Sequence, residues 1–215
     1  MMTWCMRYII DHPERMLELT QEHVRLVVIS IVVAMVIGIP LGILITRLRW
    51  LEGSLIGITG VLYTVPSLAL FAILMPYTGL GRTTVIVALV LYSLLAIVRN
   101  TVAGIDDVPA ATLDAARGMG MTGSQRLLLV ELPLALPVVL AGVRVATVAA
   151  VGIATVGALL GAGGLGRLIF DGISRGNTDR IVAGALGASV LALAADWTLA
   201  RLGDVLRRDV RLSAR

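Results

Sequence analysis

Lysine is absent from this 215-residue chain, so all 18 basic residues are arginine, set against 14 acids for a net charge of +4. Charged residues make up only 15% of the sequence and aromatic residues only 4%. Soluble domains carry nearer a quarter charged residues, which excludes an ordinary water-soluble surface. Arginines without an interleaved aromatic cluster also exclude a nucleic-acid face, so no nucleic-acid partner is expected. The single cysteine, Cys5, cannot close an internal disulfide and has no metal ligands nearby. It follows no apolar run, which excludes a lipid-attachment cysteine. No GxxxxGK[ST] phosphate loop occurs, so ATP hydrolysis is not expected of this chain. Neither a cofactor nor a metal site is suggested by any motif.

What the chain does have is apolar length: 58% of it is hydrophobic. A helix needs about 20 apolar residues to cross roughly 30 Å of hydrocarbon. Five segments meet or approach that length, at 24–46, 55–75, 83–98, 134–160 and 181–200. The expected architecture is therefore an all-α, polytopic membrane bundle of about five spans, forming a single domain over 1–215. The first apolar segment is too long for a signal-peptide core and no small-residue cleavage site closes it, so it is expected to stay in the mature protein. With the amino terminus outside, arginine falls modestly more often on the side holding 99–133, which favours an inner location for that stretch.

Residues 99–133 are the one long polar interruption. Asp106 and Asp107 before Pro109 read as a helix start, and Gly118 and Gly120 as its stop. Thr122 and Gln125 have capping-box spacing for a second short helix, expected to end before Pro133. A helix–glycine–helix elbow suits docking; an ordinary loop between spans fits the same pattern.

The spacing Asp114-Ala115-Ala116, three residues, Gly120, nine residues, Val130-Glu131-Leu132-Pro133 resembles the EAA signature of permease subunits of bacterial ATP-binding-cassette importers. The stretches "TVPSLALFAILMP" from Thr64, "LYSLLAIVRNTVAGI" from Leu91 and "GALLGAGGLGRLIFDGI" from Gly157 are similar to the glycine betaine, carnitine and choline branch of that family. One departure is that the family's glutamate is Asp114 here. The resemblance implies that the elbow is a coupling helix, with Asp114, Ala115, Ala116, Arg117, Gly118, Gly120, Leu132 and Pro133 facing or shaping the contact with a separate ATPase. It further implies two ATPase subunits, a second permease subunit (the same or homologous), an extracytoplasmic substrate-binding protein, and residence in a bacterial cytoplasmic membrane. The chain would be a transport subunit and not an enzyme. Its cargo would be a quaternary-ammonium osmoprotectant, with another small solute such as an amino acid as the alternative.

Tyr63, Thr64, Pro66 and Ser67 interrupt the second span. They line a substrate pathway or pack helices together. Quaternary ammonium ions are usually held by aromatic rings. The few aromatics here do not cluster in sequence, so selectivity is expected to reside in the binding protein. Gly161, Gly163 and Gly166 match GxGxxG but follow a span, which reads as a tight outer turn rather than a nucleotide site. Arg144 is expected to snorkel, with Leu134–Val143 along the inner surface and the span starting near Val145. Asp196 is expected to pair an inner-surface arginine. His12 and His23 are expected to be solvated.

Overall fold

The computed structural model describes residues 7–213, with side chains from Tyr8 to Leu206; Cys5 and Arg215 lie outside the described residues. Every regular element among the described residues is helical. α1 (Arg7–Asp11) leads through His12 into α2 (Pro13–Arg47), which starts on a proline whose missing N–H has no helical partner to lose. A 3-10 turn, Arg49–Leu51, precedes α3 (Glu52–Thr64), followed by α4 (Ser67–Thr78) and α5 (Arg82–Asp106). After α6 (Ala110–Gly118), α7 (Gly123–Arg126) runs through a π-helical turn, Leu127–Glu131, into α8 (Leu132–Gly157). α9 (Gly166–Ser174) and α10 (Thr178–Ser213) complete the described chain.

Among the described residues, four helical segments are long and apolar enough to cross a membrane: α2, α5, Gly123–Leu160 and Thr178–Leu206. α3 and α4 together supply a fifth if counted as one span, but they meet at 103°. The cause of that bend is local. Proline disfavours helical backbone in the residue before it, and Val65, before Pro66, is extended at φ −64°, ψ 128°. Tyr92 of α5 donates its phenolic hydrogen to the Val65 carbonyl and holds the corner against the bundle.

α2, α5 and α8 form the centre, around Leu26, Ile31, Leu89, Ile97, Val143 and Ala150, with Phe71 of α4 packed into the same cluster. Small residues let these helices approach closely, as expected where lipid gives no hydrophobic drive between them. A Cβ on Gly42 would lie 2.5 Å from Thr101 Cβ, and one on Gly142 would lie 2.5 Å from Asn100 Cβ.

Several expectations change here. Leu134–Val143 is no separate surface segment, because Ala135, Val139 and Gly142 within it are buried in the continuous helix α8. Arg144 does not snorkel alone; it donates from Nε and Nη2 to the two carboxylate oxygens of Asp196, tying α8 to α10. His23 is not solvated but fully buried. Its Nδ1 accepts from the Leu165 N–H at 3.3 Å, so the ring proton sits on Nε2 and donates to the Val151 carbonyl at 3.1 Å. Glu22 beside it accepts from the Gly164 N–H and from Arg82. These contacts cap the glycine turn, in which Gly161, Gly163 and Gly164 all have positive φ.

The glycine contacts give a test of the packing. Gly142→Ala is expected to destabilise the chain by about 1–3 kcal/mol through overpacking. Gly203→Ala, where an added Cβ meets nothing within 4 Å, is expected to be neutral or to stabilise by up to about 1 kcal/mol. Thermal unfolding of the detergent-solubilised variants checks both signs.

Candidate functional site

The polar stretch folds as an elbow whose geometry comes from local capping. α6 starts after Pro109, which is its N-cap with extended backbone. Asp106 and Asp107 do not begin it: Asp106 is the last residue of α5, and both its carboxylate oxygens accept from Arg49. α6 ends in a Schellman motif. The Met121 N–H donates to the Ala116 carbonyl at 3.1 Å and the Gly120 N–H to the Arg117 carbonyl at 2.9 Å. That motif needs a left-handed residue, and Gly120 has φ +75°. Gly118 is merely the last helical residue, so of the two glycines only Gly120 makes the corner. Thr122 and Gln125 then form the complete capping box of α7.

The second helix does not stop before Pro133. The π-helical turn absorbs the missing proline N–H, and α7 passes into α8 with Leu132 and Pro133 in its first turn. Asp114, Ala115, Arg117, Gly118 and Gly120 are exposed, whereas Ala116 is buried. Asp114 and Arg117, both exposed, pair along α6 at 2.8 Å. The elbow is thus a short, exposed, polar segment between α5 and α8 whose facing helix ends are both capped.

Glu131 anchors it, and sequence reasoning gave this residue no role. Its side chain is 3% exposed and accepts from Arg47 at the end of α2 (2.6 Å) and from Arg126 of α7 (2.9 Å). A lone acid within "LLLVELPLALP" was the available signal, because a carboxylate buried among apolar residues requires a partner. Arg47, Arg49, Asp106, Arg117, Arg126 and Glu131 surround a cavity of about 260 Å³ between the elbow and the helix ends.

The other expected site residues separate. Thr64 donates its hydroxyl to its own helix, at the Val61 carbonyl, and Pro66 caps α4. Ser67 begins α4. Tyr63 lines a cavity of about 270 Å³ between α3, α5 and α8 that also includes Tyr92, Ser93, Arg99 and Asn100. The Tyr63 and Tyr92 rings meet edge to face with centroids 6.1 Å apart. The bend at Pro66 thus brings together two aromatics that the sequence sets apart.

Residues 38–211 match the model of the family described as "Binding-protein-dependent transport system inner membrane component". The chain is 43% identical over 204 residues to the osmoprotectant import permease protein OsmW of Salmonella typhimurium, covering 93% of this chain and 95% of that protein. It is 38% identical to the glycine betaine/carnitine/choline transport system permease protein OpuCB of Bacillus subtilis, covering 93% and 92%. Among solved structures, inward-facing MetNI methionine ABC transporter matches with a TM-score of 0.81 at 23% identity, over 91% of this chain and 98% of that one. That likeness concerns the fold.

If Glu131 holds the elbow in place, Glu131→Ala leaves two guanidinium groups without their shared partner. Stability is expected to fall by about 1–3 kcal/mol, with faster amide hydrogen exchange concentrated in Met119–Leu129. Unchanged exchange there would remove Glu131 as the anchor.

Proposed function

The chain belongs to the family of binding-protein-dependent transport system inner membrane components, and from that premise we propose that it is the membrane-spanning permease subunit of an ATP-driven importer for quaternary-ammonium osmoprotectants. Relatives named for osmoprotectant, choline, glycine betaine and carnitine transport support this cargo over an amino acid. The chain provides the path and leaves ATP hydrolysis to a partner. Its assembly comprises two ATPase subunits, a second permease copy or homologue, and an extracytoplasmic binding protein that delivers the solute.

One observation carries the coupling role: a capped, exposed elbow, Ala110–Arg126, links α5 to α8 and is fixed to α2 through Glu131, which holds both Arg47 and Arg126. A docking element must transmit movement without bending. The Schellman turn and the capping box satisfy the elbow's end groups internally, leaving the exposed face of Asp114, Ala115 and Arg117 for a groove on the ATPase. Displacement of the elbow by ATPase closure then acts on α8 directly, because no loop intervenes, and on α2 through Arg47.

Gly120→Leu tests this reading. An added Cβ meets nothing within 4 Å; the cost of the substitution is the positive φ, about 1 kcal/mol or more, and a bulky side chain on the docking face. Membrane insertion is expected to persist while ATPase copurification and solute uptake both fall. Asp114→Glu, in the same element, is expected to be neutral or mildly favourable. Normal ATPase association in Gly120→Leu would contradict the docking role.

A further inference from the structure

The 270 Å³ cavity between α3, α5 and α8 has a lining that fits one chemical class of solute. Tyr92, Ala96 and Arg99 follow one another at i, i+4 and i+7, which sets them on one face of α5. Tyr92 is ten residues past Arg82, about 15 Å along the helix; Arg99 is two turns further, towards the elbow. Tyr63 comes in from α3, and Ala146 and Ala149 of α8 form a small-residue wall. The Tyr92 ring is fixed because its hydroxyl is committed to the Val65 carbonyl.

Arg99 stands out from its neighbours. Arg47, Arg49, Arg117, Arg126 and Arg144 all hold carboxylates. Arg99 has no hydrogen-bond or ion-pair partner among the described residues. Arg99 is exposed, and its unpaired guanidinium on the lining of this mostly apolar cavity is free to receive a carboxylate. At the other end lie the Tyr63 and Tyr92 rings, set edge to face, and an aromatic ring attracts a cation. The volume lies below the roughly 300 Å³ at which drug-sized pockets begin, so the occupant is small.

We propose that this cavity is a transit site for zwitterionic quaternary-ammonium solutes, with Tyr63 and Tyr92 receiving the trimethylammonium group and Arg99 the carboxylate. This rests on the import of quaternary-ammonium solutes proposed above and adds a division within that class. Glycine betaine and carnitine carry the carboxylate that Arg99 reads; choline does not. The permease itself thus discriminates among solutes that a binding protein delivers.

The test uses the whole transporter, with permeases, ATPases and binding protein, in ATP-loaded vesicles of phosphatidylethanolamine and phosphatidylglycerol. These lipids contain no choline headgroup that could occupy the cavity from the membrane. Uptake of labelled glycine betaine and labelled choline is measured in parallel. Arg99→Gln is expected to lower betaine uptake about tenfold and to change choline uptake by less than about twofold. Arg99→Lys is expected to recover most of the loss. Tyr63→Leu should lower both solutes about fivefold, and Tyr63→Phe neither. The betaine-to-choline ratio is insensitive to how much transporter folds, and unchanged ATPase copurification checks assembly. An equal loss of both solutes in Arg99→Gln, or no loss in either Arg99→Gln or Tyr63→Leu, would overturn the site while leaving import intact. A wild type that carries choline and no carboxylate-bearing solute would overturn the role of Arg99. A wild type that carries neither solute would instead refute the cargo assignment on which the site rests.

Discussion

In hydrocarbon every backbone N–H and C=O must find a partner within the protein, because no water is present to supply one. That requirement makes the regular structure helical, and it makes each departure from helix a place where other groups take over. At the α3–α4 corner the Tyr92 hydroxyl serves the Val65 carbonyl. At the glycine turn, Glu22 and His23 accept from the N–H groups of Gly164 and Leu165. At the elbow, the Schellman bonds and the capping box close both helix ends. The three breaks are also where the chain offers something other than apolar surface: an aromatic-lined cavity, a tied glycine turn and an exposed polar elbow.

Charges follow the same logic. Glu131, buried among apolar residues, meets both Arg47 and Arg126, and the more exposed Asp196 meets Arg144. Removing Glu131 strands two arginines, so this buried set joins helices more firmly than an exposed pair such as Arg15 and Glu18. The pairs connect α2, α7, α8 and α10, so movement imposed at the elbow is not confined to it.

What could be read from the sequence was local. The capping box of Thr122 and Gln125, the corner at Gly120 and the interruption at Pro66 each depend on residues a few positions apart, and their chemistry is visible in a short window. The continuity of α7 into α8 was not visible, because proline usually marks a boundary and here a π-helical turn accommodates it. Nor were the long-range pairs: Arg47 and Glu131 are 84 residues apart, and His23 and Leu165 are 142. His23 looked solvated because its helix begins well before the apolar run, at Pro13, and carries it into the bundle. The sparse aromatics looked dispersed because only the folded corner sets Tyr63 against Tyr92.

The central claim is that the elbow is the part of this membrane chain that a soluble ATPase grips. Met119 lies at its tip, 69% exposed, and can carry a photoactivatable cross-linker on a cysteine, Met119→Cys, in a Cys5→Ser background. Illumination of the assembled transporter is predicted to join the chain covalently to the ATPase subunit. A cross-link to the extracytoplasmic binding protein, or none to the ATPase in an assembly that imports solute normally, would contradict the account.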